Sequence, residues 1–397
     1  VGGVHYLSPQ LFRGLVETKS IPREGLGEKV AEFLRGLSSR EPRLGDRRSL
    51  GPMMSSPLKE SVEAFIEFID RNLNDPSRFR ESKVLEREVI EMVTSLLGGS
   101  EGAGLITYGG SESNITALLI LRGLGFRKVI TPTSSHTSVS KAAHILGMKV
   151  IYTAVDSELR AVPEDIKAKV KGCSDCAVVL TAGNTETGVV DDALRVYEEV
   201  GDVPVHIDAA FGGLMIPFLR ESNPSIPKAD FTIPSVYSVN VDGHKAALTP
   251  IPSGALITRT RELMEKVRYR ATYIEAGSQY GILWTRTAGS AAAFWASLMF
   301  FGVEGLRRLF TSMLTNAMYC RERLLALGFD VVGPELPLIC FRHREAGYRE
   351  LKRGLADRGW YLYTCPIYGG LKITFMPHVT REVIDEFVED LSKVLRV

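Results

Sequence analysis

Lys245 sits in the segment SVNVDGHKAALTPIPSGAL, residues 238–256, with His244 before it and Ala246, Ala247 and Leu248 after it. A lysine is seldom buried unless it is paired or put to chemical use, and no charged residue follows this one in the segment. An apolar setting disfavours the ammonium form, and the free amine is a nucleophile that condenses with aldehydes. The stretch TYGGSESN, residues 107–114, puts two glycines and Ser111 between an expected strand and an expected helix. There the backbone amides of Gly110, Ser111 and Glu112, with the Ser111 hydroxyl, would form an anion site suited to phosphate. The same residues would also make an ordinary Gly-Gly turn with a serine N-cap. In VPVHIDAAFGG, residues 203–213, a strand ends on Asp208, where parallel α/β sheets hold their ligands. Ala209 and Ala210 leave room for a flat ligand against the backbone, although an aspartate there could simply cap the next turn.

An anion site, a carboxylate able to keep a pyridine nitrogen protonated and an amine able to form a Schiff base are together what pyridoxal 5'-phosphate requires. That cofactor is therefore expected. No metal is expected: Cys173 and Cys176 form a lone C-x-x-C with no second pair at zinc-ligand spacing, so two thiols in a surface turn are the simpler reading.

These groups need a scaffold, and the chain supplies one. Apolar residues at helical spacing over 56–73 and 83–98 predict two amphipathic helices before the core. From residue 104, short β-rich runs (LITY, KVITP, MKVIYT, CAVVLTA, VPVHID, SGALIT) alternate with helical stretches near 113–124, 138–146, 163–170 and 191–200. The alternation predicts an α/β fold, a mostly parallel sheet with helices on both faces. After about residue 300 a long helix near 304–327 leads into LPLICFRH, a helix near 347–358, WYLYT, LKITFMP and a last helix from Thr380, a smaller α+β domain. The expected division is an N-terminal segment 1–57, a large domain 58–300 and a small domain 301–397.

Composition bounds the partners. Lys+Arg 48 against Asp+Glu 47 gives a net charge of +1, so neither nucleic acid nor a membrane surface is expected. The apolar run from Ala288 to Val303 falls short of the roughly 20 residues of a membrane span and reads as a buried helix. The first 20 residues lack the ordered zones of a secretory signal, which makes a cytoplasmic protein the expectation.

From about Leu50 to the C-terminus the chain resembles the group II pyridoxal-phosphate decarboxylases, above all the archaeal L-tyrosine/L-aspartate decarboxylases. The resemblance is carried by LGPMMSSP, NLNDPSRF, YGGSESN, SSHTSVSKAA, TAGNTETGVVDD, HIDAAFGG, VDGHKAALTPIPSG, TRTAGSAAA and MPHVTRE in order. It implies the aspartate aminotransferase-like fold type I, with a seven-stranded sheet in the large domain and an α+β small domain. It also implies a homodimer with a shared active site, and an amino acid as the small-molecule substrate.

On this resemblance Lys245 is the Schiff-base lysine, Asp208 the partner of the pyridine nitrogen and Ala210 the small residue against the ring. His136 matches a histidine that stacks on the ring and shapes substrate binding and protonation; alone, it would read as a helix cap. Thr185 matches a threonine near the ring oxygen, with Asn184 where a threonine usually precedes it. Ser238 and His244 match phosphate contacts, and Thr285 a phosphate ligand from the neighbouring chain. Tyr273 and Tyr280 both fall where the family has a loop tyrosine that assists protonation; either could instead pack at the dimer interface.

Lys372 stands where the archaeal relatives usually carry an arginine for the substrate carboxylate, and an exposed strand lysine is its alternative. Arginine and lysine are not equivalent at such a site. Arg286 is a second cation for a side-chain carboxylate, or else an interface salt bridge. The implied reaction is decarboxylation of L-aspartate to β-alanine, or of L-tyrosine to tyramine, with a lean to aspartate. A carbon–carbon lyase of the sphingosine-phosphate lyase type and a non-catalytic relative are the alternatives.

Overall fold

The structure, a computed structural model, describes residue 21 and residues 23–395. The whole of residues 1–20, on which the secretory-signal reading rests, and thus part of the expected N-terminal segment, lie outside the described residues. The core is a seven-stranded sheet of β1 (Ala103–Thr107), β2 (Lys128–Pro132), β3 (Lys149–Thr153), β4 (Cys176–Thr181), β5 (Val205–Asp208), β6 (Val236–Val241) and β7 (Gly254–Thr258). Their order is β1-β7-β6-β5-β4-β2-β3, and only β7 runs antiparallel to its neighbours. β4, the sequence CAVVLT, is buried along its whole length, as a strand covered by helices on both faces must be. β5 pairs in parallel with both β4 and β6, so Thr181, Asp208 and Asn240 stand side by side at one edge. That alignment places the functional loops together.

Six helices precede and interleave with these strands: α1 (Lys29–Ser38), α2 (Lys59–Glu67), α3 (Arg80–Leu96), α4 (Gly110–Gly123), α5 (Thr137–Ile145) and α6 (Pro163–Val170). The next four are α7 (Ala193–Val200), α8 (Ile216–Ser222), α9 (Gly243–Ala246) and α10 (Arg261–Glu265). α1 is not evident in the polar opening of the chain, and it buries no residue. The short strands β8 (Arg268–Arg270) and β9 (Ser278–Tyr280) form a hairpin before the last large helix.

α11 (Gly289–Ala326) links the two cores and bends at Gly302, whose φ of 56° interrupts the helix. By length and composition it could cross a membrane, but Phe294, Leu298, Phe310 and Met313 pack into the large core. The expected long helix near 304–327 is thus joined to the apolar run before it. Core membership changes between Leu314 and Ala317, beyond the expected boundary at 301. The small domain is an antiparallel sheet of β10 (Phe329–Val332), β11 (Leu338–His343), β13 (Gly370–Thr374) and β12 (Tyr363–Cys365), in that order. α12 (Tyr348–Ala356) and α13 (Arg381–Leu395) complete it. Leu50 belongs to this second core, and its N–H and that of Gly51 donate to Tyr361 O. The 50–57 motif therefore straddles both units instead of ending a separate N-terminal segment.

Candidate active site

A cavity of about 320 Å³ opens at the C-terminal ends of β1, β4, β5 and β6 and is lined by Gly109, Gly110, Ser111, His136, Thr185, Asp208, Ala210, His244 and Lys245. All of these were singled out from sequence. Gly109 has φ 112°, and a Cβ there would lie 2.9 Å from His244 Cε1. A Cβ on Gly110 would come within 3.1 Å of the Ala210 Cβ. Only glycine lets the β1–α4 turn approach β5 and α9 this closely. The turn opens into α4, whose first amides have no intrahelical acceptor and can meet an anion. Glu112 turns its carboxylate back to accept from Tyr108 N–H at 2.6 Å, clear of those amides, and burial raises its pKa.

Asp208 is buried, and its Oδ2 accepts from Asn114 Nδ2 at 2.8 Å. His136 combines its two readings: it caps α5, accepting from Ser138 N–H at 3.2 Å, and its ring lines the cavity. Burial is the main force holding its pKa below the ordinary value, so the ring is neutral at pH 7. His244 donates from Nδ1 to Ser253 O at 2.6 Å, and burial lowers its pKa as well. Lys245 is not wholly apolar in its setting. Its Nζ lies 3.0 Å from Asp242 Oδ2, one turn earlier, and Asp242 Oδ1 is buried without a partner.

Several expected site residues stand elsewhere. Ser238, assigned to the phosphate, is buried in β6 before its C-terminal end, outside the residues that line the cavity, and its hydroxyl lies 2.8 Å from His206 Nδ1. Arg286 does not reach the cavity or the surface. It is 2 % exposed, pairs with Glu86 at 2.6 Å and donates to Ile106 O and Asn74 Oδ1, a buried tie between α3, β1 and the lead-in to α11. Tyr280 donates to Glu265 Oε1 at 2.6 Å and lines a separate cleft. Tyr273 is exposed and meets Trp284 edge-on, and Thr285 is exposed too, so neither enters this chain's cavity.

Lys372 is only 3 % exposed, which rules out the exposed-strand reading. Its Nζ donates to Thr185 O at 2.6 Å, just behind the cavity wall, and burial pushes its pKa down to about 8. Cys173 and Cys176 are joined as a disulfide, correcting the expectation of two free thiols; they adjoin the start of β4, at the opposite end of the strand from the cavity. Sequence reasoning missed Asp242, Asn114, His206 and Asn240. Asp242 could have been found from its i,i+3 spacing to Lys245, and Asn114 from its place one turn into the helix after the glycines.

Comparison with known proteins follows the same residues. Residues 81–344 match the family described as the pyridoxal-dependent decarboxylase conserved domain. The chain belongs to this family. Among its relatives, this decarboxylase is 34% identical over 384 residues to an L-aspartate/L-glutamate decarboxylase of Pyrococcus horikoshii, covering 94% of this chain and 99% of that protein. It is 36% identical over 353 residues to a probable L-tyrosine/L-aspartate decarboxylase of Methanothermobacter thermautotrophicus, covering 87% and 97%. Its fold matches a sphingosine-1-phosphate lyase of Burkholderia pseudomallei with a TM-score of 0.87 at 24% identity, over 96% of this chain and 93% of that one. The decarboxylase is a fold type I enzyme that uses pyridoxal 5'-phosphate to decarboxylate an amino acid. The glycine turn, the small Ala210 and the amine at one cavity fit that cofactor.

Proposed function

We propose that the substrate is L-aspartate, released as β-alanine and carbon dioxide, with Lys245, Asp208 and the Gly109–Gly110 turn as the centre of the site. Their convergence on one cavity is the observation that supports the roles. The first amides of α4, at Gly110, Ser111 and Glu112, with His244 beside them, hold the phosphate. Lys245 would be the amine that holds the cofactor, and Asp208 would be the carboxylate that keeps its ring nitrogen protonated. Ala210, His136 and Thr185 line the same cavity and would bound the ring.

When bound, the cofactor supplies the electron sink for the pair left as the Cα–carboxylate bond breaks. The protein's part is to orient that bond and to exclude water from it. Lys372, buried and charged at pH 7, supplies the cation behind Thr185 toward which the substrate's carboxylate is drawn. The names of both relatives include aspartate. A cavity of about 320 Å³ that must also take the cofactor favours a small side chain. With Arg286 committed to Glu86, Lys372 is left as the cation for this role.

The site is completed in a homodimer. Tyr273, Trp284, Met299, Phe300 and Val303 are large apolar side chains left exposed near the hairpin and the bend of α11, the kind of surface a second copy covers. Thr285 lies on that same exposed stretch, where it would serve the neighbouring chain's phosphate. Carbon dioxide release from L-aspartate, L-glutamate and L-tyrosine, measured side by side as kcat/KM, tests the substrate. A tenfold preference for tyrosine, about 1.4 kcal/mol in transition-state binding, would refute it. Borohydride trapping and peptide mapping test Lys245, and label on another lysine would refute that role.

A further inference from the structure

Beneath the cavity lies a chain of buried polar side chains, among which His206, Asn114 and Asn240 are each 0% exposed. The orientations of amides and imidazoles along such a chain are determined once one end is fixed. Here the fixed end is a backbone N–H. That of Ala209 can only donate, and it meets Asn240 Oδ1 at 2.7 Å. Asn240 therefore turns Nδ2 toward Asn114, whose Oδ1 accepts at 3.1 Å. Because Asn114 Oδ1 is an acceptor, the His206 Nε2 that lies 2.9 Å from it must carry a proton. His206 is neutral, burial driving its pKa down to about 4, so its Nδ1 accepts from the Ser238 hydroxyl.

The other end of the Asn114 amide is equally determined. Nδ2 gives its two hydrogens to Asp208 Oδ2 and Ser138 Oγ, each at 2.8 Å. The Ser138 N–H donates to His136 Nδ1 at 3.2 Å, and its hydroxyl, already an acceptor from Asn114, donates to the same nitrogen at 2.7 Å. His136, neutral, thus carries its proton on Nε2. Every hydrogen-bonding position of Asn114 is used.

The geometry points to Asn114 as a positioning residue: its amide directs the hydrogen bonds from His206 to His136, so that Asp208 meets the cavity as an acceptor and His136 as an Nε2–H donor. This rests on the proposed placement of Asp208 and His136 at the cofactor. Hydrogen bonds donated to a carboxylate favour its charged form, and a buried network satisfied at every member admits only one arrangement. The two exported groups then suit their neighbours, a protonated ring nitrogen and an anionic group of the substrate.

The test is nitrogen-15 NMR of histidine-labelled holoenzyme, which distinguishes protonated from bare imidazole nitrogens, with each signal assigned by a single His→Gln variant. The wild-type protein should show His206 and His136 both as neutral Nε2–H forms above about pH 7. In Asn114→Leu, similar in size but unable to hydrogen-bond, His206 should switch to Nδ1–H, since the Ser238 hydroxyl is its remaining acceptor. In Ser238→Ala it should stay Nε2–H. The Asn114→Leu holoenzyme should also lose roughly tenfold or more in kcat while cofactor affinity changes by less than about twofold, because the phosphate turn is untouched.

An Nδ1–H signal from either histidine in the wild type overturns the assignment, as does an unchanged His206 signal or an unchanged kcat in Asn114→Leu. Should that variant not fold, Ser238→Ala decides: Nε2–H kept supports it, Nε2–H lost overturns it. The tautomer readout needs no turnover, so its failure is distinct from failure of the substrate or of the Lys245 assignment.

Discussion

Replacing Lys372 by methionine should make the protein more stable and the enzyme worse. The side chain is 3 % exposed, and burial lowers its pKa from 10.5 to about 8. A depression of that size corresponds to about 3 kcal/mol of unfavourable charge burial at neutral pH. The folded state binds the proton less tightly than the unfolded chain. The penalty is therefore fully present below about pH 8 and is relieved as pH rises from 8 toward 10.5, where only the unfolded state remains charged. Methionine matches the stem and carries no charge, and the loss of the donor to the Thr185 carbonyl offsets part of the gain. Urea denaturation at pH 7 should show Lys372→Met gaining about 1 to 3 kcal/mol over the wild type, and the gain should shrink above pH 8. In the same variant kcat/KM for L-aspartate should fall by roughly 30-fold or more, the loss of about 2 kcal/mol from one buried charge pair. In the wild type, kcat/KM should decline as pH passes about 8 and the ammonium is lost. Equal or lower stability of Lys372→Met at pH 7, or undiminished kcat/KM, would refute the reasoning.

Asp208→Asn should fold and bind cofactor yet turn over at least about a hundredfold more slowly, a cost near 3 kcal/mol for losing the partner of developing charge; single-turnover carbon dioxide release measures it. Gly109→Ala should weaken cofactor binding, because φ 112° and a 2.9 Å approach to His244 Cε1 oppose any Cβ; fluorescence titration of the apoprotein with pyridoxal phosphate reads the loss. Arg286→Met should destabilise the fold by about 3 kcal/mol by leaving the buried Glu86 with Lys83 as its one remaining cation and by stripping Ile106 O and Asn74 Oδ1 of their donor, while the folded fraction keeps its kcat. Glu86, whose pKa is lowered to about 2 despite an opposing burial effect that is the largest single influence, gives the wild type stability present above about pH 4.5 and lost as pH falls toward 2. In Arg286→Met that acid-side loss should be flattened, which a denaturation series from pH 7 to about pH 3 would show.

The sequence by itself determined the order of strands and helices along the chain and several of the residues that meet at the cavity. Gly109, Gly110, Asp208 and Lys245 each sit at the end of a strand or the start of a helix, and those positions follow from local hydrophobic period and turn chemistry. Parallel pairing then brings such ends to one edge whatever the loops do. The disulfide between Cys173 and Cys176 and the bend at Gly302 were not legible, because a four-residue turn and a helix interior read the same with or without them. Tertiary structure alone decided which charges are spent on architecture. Arg286 and Lys372 are both cations in stretches that resemble active-site motifs, and nothing local separates them. Glu86 lies 200 residues before Arg286 and claims it, whereas Lys372 is buried against a carbonyl of the cavity wall with no carboxylate bonded to it. Likewise Asn114, His206 and Asn240 come from α4, β5 and β6, and become one network only when the strands align. A side chain's type fixes what it can bond, but burial and the partner brought from far along the chain fix what it does bond.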